Sequence, residues 1–293
     1  VERFVAEIGG SRREWLFRSA PAGAPLVIFL TGTGGTAEWA DRETGWSELA
    51  ARERFALAIP EALPPDPQAP PSFLHNPQRW NDGSDWKDER RTPAAAGKAG
   101  GPLPPSSDID FLTAVIDAAG RANVDPNRVF VTGFSNGAGM TFRFAAERAD
   151  RVAAIAPVAG YCWVREPRPV RPVATLYLLG SHDLLIPVRG GEVRLPWYSR
   201  LVRRPPVADS LERWAVGLGC SPVPELRAHH GPVRIDRYPG PVAFDAVTVE
   251  GLGHHWPGGG AQLNPRVAGP PSDAVDATEM IWDFFSKAFA NDR

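Results

Sequence analysis

The chain has 293 residues, 43% hydrophobic and 23% charged, an ordinary globular composition with enough length for one large α/β domain or two small ones. A formal net charge of −2 creates no field that would draw in nucleic acid or an anionic membrane. No stretch approaches the ~20 continuous apolar residues that a membrane span needs.

The sequence begins at Val1 with no methionine and no signal-like segment, as expected of a processed or trimmed form. The first residues, VERFVAEIGGSRREWLFRSAP, pattern as two strands around Gly9-Gly10, a hairpin. Ala24 to Leu30 (APLVIFL) is continuously apolar, which predicts a strand buried on both faces, as in a parallel sheet. TGTGG follows, then a helical segment near GWSELAARER and another apolar run, FALAIP. Residues 63–106 are rich in proline, glycine and charge, with tryptophans at 80 and 86. An insertion that long in a compact domain is usually functional or mobile.

Alternation of strand and helix then resumes. SDIDFLTAVIDAAGRAN carries a polar start and one apolar helical face. RVFVTG is a short β-branched strand, NGAGMTFRFAAERAD a helix, and VAAIAPVAG and PVATLYLLGSHD are strands. PVADSLERWAVGLGC is a helix, FDAVTVEGLGHHW a strand ending in two histidines, and DATEMIWDFFSKAF the last helix. Such alternation predicts an α/β fold with a mostly parallel sheet covered on both sides. With no internal repeat and no clean linker, residues 1–293 read as one domain. The two cysteines, Cys162 and Cys220, read either as a free buried pair or, in an oxidising compartment, as a disulfide worth roughly 4 kcal/mol in the chain-entropy model. Without a C-x-x-C they cannot make a zinc site unaided.

The stretch FVTGFSNGAGM poses the functional question, because it sets Ser135 between Gly133 and Gly137 at the tip of a buried strand. A tight turn would explain the glycines. So would a nucleophile elbow, in which a strained serine stands above the sheet and larger neighbours would collide with it. A bare G-x-S-x-G is weak, but strand, motif and helix in succession form the context an elbow requires.

A serine needs a base within hydrogen-bond reach, and the base needs an orienting group. In this fold logic both lie on loops beyond the carboxyl ends of later strands, in the order serine, acid, histidine. Of six histidines, His254 and His255 meet that condition. His229-His230 in HHGP read as a solvated turn, His75 sits in the long insertion, and His182 precedes any later acid of suitable placement. For the acid, Asp183 ends the strand between elbow and histidines, whereas Asp209, Asp236 and Asp245 read as helix-capping or surface charge.

Together GFSNGAGM, LLGSHDLLIPVRGG and GLGHHWPGG resemble the polyhydroxybutyrate-depolymerase-type and feruloyl-esterase-type family of α/β-hydrolases. TGWSELAARERFALAIPE, NPQRWND, DPNRVFVTG and SLERWAVGLGC extend the likeness over most of residues 24–290. It implies an α/β-hydrolase fold and a secreted serine esterase, acting through an acyl-enzyme on polyesters or aromatic acyl esters without metal or organic cofactor. The family's G-x-G-H-x-W-P-G pattern falls on Gly251, Gly253, His254, Trp256, Pro257 and Gly258, which selects His254 as base and makes His255 the variable neighbour.

An oxyanion needs two N–H donors, expected from Asn136, next after the nucleophile, and from the turn after APLVIFL. The family pattern has histidine-glycine in that turn where this chain has Thr31-Gly32; the donor is a backbone group, expected at Thr33, but the turn lacks the hydrogen bonds of a histidine side chain. The same turn lacks the lysine and spacing of a phosphate-binding loop. Trp80 matches an aromatic position of the family and Trp256 lies close to His254; either would form a wall of the substrate cleft or simply pack. Acyl transfer to another acceptor, and a non-catalytic binding protein of the same fold, are the alternative readings.

Overall fold

The computed structural model describes residues 1–84, 107–197, 200–260 and 263–290. The later part of the 63–106 insertion, with Trp86, lies outside the described residues.

Strands β1 (Glu2–Ile8) and β2 (Ser11–Arg18) pair antiparallel, joined by Gly9 and Gly10 at φ 60° and 77°. That two-residue left-handed turn matches the twist of a hairpin. The apolar runs form β3 (Leu26–Leu30), β4 (Ala56–Pro60), β5 (Val129–Phe134), β6 (Ala154–Val158), β7 (Ala174–Gly180) and β12 (Phe244–Val249). They pair in the order β4-β3-β5-β6-β7-β12, all parallel. Antiparallel strands extend both sides, β1-β2 beyond β4 and a hairpin of β11 (Val233–Arg237) and β10 (Glu225–His230) beyond β12, giving ten strands in one sheet. His229 and His230 therefore lie in β10, not in the turn expected for HHGP. The turn is Gly231-Pro232, and both histidines remain exposed.

Alternation along each strand divides the core into two layers. Leu26, Ile28 and Leu30 face one side with helices α3 (Ser107–Arg121), α4 (Asn136–Glu147) and α5 (Val207–Gly217). Val27 and Phe29 face the other, with α1 (Ala37–Thr44), α2 (Trp46–Glu53) and α7 (Ala277–Ala290). Sequence pattern missed α1, because its buried residues, Ala37, Ala40, Glu43 and Thr44, include no large apolar side chain and Gly45, at φ 69°, breaks it from α2. A separate antiparallel pair, β8 (Gly191–Arg194) and β9 (Leu201–Arg204), stands outside the main sheet, and a short helix α6 (Pro265–Ala268) follows β12.

Cys162 and Cys220 are free thiols, both buried. Of the two readings open in the sequence, the structure contains the free pair. No helix among the described residues is long and apolar enough to cross a membrane.

Candidate active site

Ser135 sits where β5 hands over to α4, with φ 57° and ψ −116°. A non-glycine residue held in so sparsely populated a region costs about 1–3 kcal/mol. Its backbone is fixed at both ends, Ser135 N–H donating to Val158 O at 2.9 Å and Gly139 N–H donating to Ser135 O at 3.2 Å. The flanking glycines are demanded by close backbone approach. A Cβ on Gly133 would lie 2.6 Å from Gly137 O, and one on Gly137 would lie 2.1 Å from Leu30 O. Neither backbone atom can move aside without opening the contact between β3 and α4.

His254 and Asp183 arrive from the ends of two neighbouring parallel strands, β12 and β7. His254 Nε2 is 2.9 Å from Ser135 Oγ, and His254 Nδ1 is 2.7 Å from Asp183 Oδ2. The other oxygen, Asp183 Oδ1, accepts from the amides of Leu185 and Ile186 at 2.8 and 2.7 Å. The imidazole is buried and lies 4.7 Å from the Phe134 ring, and the backbone N–H of His254 donates to Ala268 O at 2.5 Å. In such a chain an imidazole can take a serine proton while a buried carboxylate fixes its ring and tautomer.

The neighbour His255 points elsewhere. Its Nε2 is 2.8 Å from Gly269 O, which only accepts, so that nitrogen carries the proton. Its Nδ1 is buried without a partner among the described residues. Burial, and then the nearby His254, push its pKa below 6.5, with the Gly269 hydrogen bond opposing them. The remaining acids are engaged elsewhere, and Asp245 is buried in β12 rather than being the surface charge expected of it. Asp245 is held by Arg227 and Arg237, Asp236 pairs with Arg234, and Asp209 lies in the first turn of α5.

Thr33 and Asn136 bracket Ser135, and among the described residues neither backbone N–H has a protein acceptor. The segment Gln78–Asp82 holds both in place. Gly34 N–H donates to Gln78 O at 2.7 Å, and Trp80 Nε1–H donates to Thr31 O at 3.0 Å. Trp80 N–H donates to Asn136 Oδ1 at 2.7 Å, while Asn136 Nδ2 donates to Trp80 O and Asp82 Oδ2 at 3.1 and 2.8 Å. These bonds hold the Thr31–Gly35 turn in place. From behind, Asp108 accepts from Asn81 N–H at 2.7 Å and from Arg13, whose guanidinium is wholly buried 4.0 Å above the Phe111 ring.

A cavity of about 490 Å³ opens beside Ser135 and His254. Trp39, Phe73, Phe134, Leu185, Trp197 and Val267 make its walls apolar. Trp80 and Trp256 do not reach it, which corrects their expected place in the cleft. Trp80 is completely buried against Phe111 beneath the Thr31 turn. Trp256 is buried edge-on to Phe29 and donates to Thr278 Oγ1, under the His254 loop. The true wall was hidden in sequence: Phe73 and Trp197 lie in irregular segments, joined across 124 positions by Trp197 Nε1–H donating to Phe73 O at 2.5 Å.

No family model matches the chain. Curated relatives include NocK of Nocardia uniformis subsp. tsuyamanensis, assigned as an esterase, 29% identical over 286 residues that take in 90% of this chain and 74% of that one. Feruloyl esterase B of Piromyces equi is 27% identical over 166 residues, 51% of this chain and 29% of its own length. Poly(3-hydroxyalkanoate) depolymerase C of Paucimonas lemoignei is 30% identical over 140 residues, 48% of this chain and 28% of its own. The matches thus span less than a third of the last two proteins. Among solved structures, acetyl xylan esterase from Aspergillus awamori superposes with a TM-score of 0.62 at 12% identity, covering 98% of this chain and 99% of that one. The fold is the α/β-hydrolase fold, and the chain is related to ester hydrolases.

His255 makes stability depend on pH. Because its folded pKa lies below 6.5, the unfolded chain binds the extra proton first, and this contribution is full above 6.5 and lost as pH falls toward the lower folded value. Melting temperatures of the wild type should therefore drop on acidification through that window more steeply than those of His255→Gln. Equal slopes would show that His255 does not resist protonation.

Proposed function

We propose that the chain is a serine carboxylic ester hydrolase, a single catalytic domain working through an acyl-enzyme. The observation that carries this reading is the unbroken hydrogen-bonded series Ser135–His254–Asp183 at the mouth of an apolar cavity. Ser135 Oγ attacks the ester carbonyl as His254 Nε2 takes its proton. Asp183 holds the imidazolium that forms, its own charge steadied by the two amides of the 185–186 turn. The N–H groups of Thr33 and Asn136 receive the oxyanion; such a donor is typically worth about 3–4 kcal/mol in the transition state. His254 then returns the proton to the departing alcohol, and water repeats the sequence in reverse to free the acid.

The cavity favours an apolar substrate half, an aromatic ring or an aliphatic polyester segment, since its walls offer rings and methyl groups with few hydrogen-bonding atoms. The names of the feruloyl esterase and polyhydroxyalkanoate depolymerase relatives support those two classes. Work outside the cytoplasm goes with this reading, as the motif resemblance implies.

Ser135→Ala should fold normally and lose nearly all turnover of p-nitrophenyl esters, because no acyl-enzyme can form; activity near the wild-type rate would refute the assignment. Trp80→Phe keeps the stacked ring but removes the donor to Thr31 O. One such bond is worth roughly 1 kcal/mol, so kcat should fall about fivefold with KM little changed. A loss confined to KM would mean that the turn does not serve the transition state.

A further inference from the structure

Ser135 lies between the apolar cavity and a recess of about 40 Å³, which Thr33, Asn136, Tyr161 and Leu185 help to line. The recess has room for about three water-sized groups. Its charged groups hold one another. Asp82 accepts from Ser84 and from Asn136 Nδ2, and Arg79 stands in the field of that carboxylate. Arg204, 5.6 Å from the Trp163 ring, also has partners, so neither guanidinium is free for an anion.

Tyr161 differs. It is 1% exposed, and among the described residues its hydroxyl has no hydrogen-bond partner. Arg204 lines the recess, and Asp183 is held by the 185–186 turn that lines it too. The phenol oxygen feels both charges, which sets the hydroxyl at that end of the recess. Burial pushes its pKa above the ordinary value, against the pull of Arg204, so at neutral pH it is an uncharged donor. A buried donor without an acceptor is costly, and an oxygen bound in the recess relieves that cost.

The reaction divides the ester between the two spaces. Thr33 and Asn136, the proposed oxyanion donors, both line the recess, so the carbonyl oxygen fills part of it. His254 lines the apolar cavity and not the recess. Since His254 must protonate the departing alcohol, the alcohol half leaves along the apolar cavity and the acyl half turns into the recess. What remains there is room for about two groups, the carbon next to the carbonyl and one substituent. We propose that this substituent is an uncharged oxygen that accepts from the Tyr161 hydroxyl, which makes the substrate a short 2-hydroxyacyl ester of an apolar alcohol. The inference rests on the ester-hydrolase reading and narrows its substrate class.

The test compares kcat/KM for benzyl glycolate and benzyl propanoate, which differ by a hydroxyl for a methyl, following benzyl alcohol release. Their ratio is divided by the ratio of their alkaline hydrolysis rates to remove intrinsic reactivity. The glycolate should then be preferred about fivefold, and Tyr161→Phe should abolish that preference. Benzyl hexanoate, too long for the recess, should be about tenfold slower than the propanoate. Both wild-type comparisons stand even if the variant fails to fold. Cleavage of the propanoate with no corrected preference for the glycolate overturns the subsite and leaves the esterase reading standing. So does a preference that survives Tyr161→Phe, an equal loss on both esters in that variant, or a hexanoate cleaved as fast as the propanoate. NMR titration of Ser135→Ala protein with the two benzyl esters reads the subsite without turnover. Glycolate binding about fivefold tighter sustains it even if the wild type cleaves no ester, and equal binding or none overturns it.

Discussion

Leu30, Gly133 and Gly137 meet at backbone distance beneath Ser135, and the rest of the site depends on that contact. β3 and β5 pair in parallel up to Leu30 and Gly133, and the first turn of α4 then closes directly over the end of β3. The serine between them has a left-handed backbone that an L-residue adopts only under constraint. A side chain at either glycine would separate strand from helix, moving Ser135 Oγ and the Thr31–Gly35 turn apart. Ser135 and the proposed oxyanion donors are thus set by one junction, each position relative to the other.

The junction is held from one side by Gln78–Asp82 and from the other by the 254 loop. The Gln78–Asp82 segment is irregular, so it relies on bonds to fixed elements. Asp108 at the start of α3 grips Asn81, and Glu61 after β4 accepts from Gln78 Nε2 at 3.1 Å. The buried Arg13–Asp108 pair at 2.8 Å is an anchor of this kind. Such a pair is no strong source of stability, because desolvation offsets most of its Coulomb attraction, yet removing one partner typically costs about 3–5 kcal/mol. Burial alone pushes Arg13 below its ordinary pKa, with Asp108 opposing the shift. The two charges therefore fix where the segment lies more than how tightly the domain folds.

The sequence made the parallel strands legible because burial on both faces leaves continuous apolar runs, and it singled out Ser135, Asp183 and His254 because each follows such a run. The fold brings those three within hydrogen-bond distance. The aromatic wall was not legible. Phe73 and Trp197 are placed by contacts between distant irregular segments, which no local period records. Trp80 and Trp256 were visible as aromatic residues near the site, but pattern alone cannot say which face of a loop turns inward. Both turn toward the core because each indole N–H finds a buried acceptor there, Thr31 O and Thr278 Oγ1.

The apolar cavity beside His254 and the more polar recess beside Asn136 meet at Ser135. All of this assumes that Ser135 is a nucleophile activated where the elbow holds it. The most direct measurement is reaction of the folded chain with a fluorophosphonate, followed by digestion and mass mapping. The account predicts one adduct per chain, on the peptide carrying Ser135, and none in Ser135→Ala. An unmodified chain, or an adduct on any other residue, would contradict it.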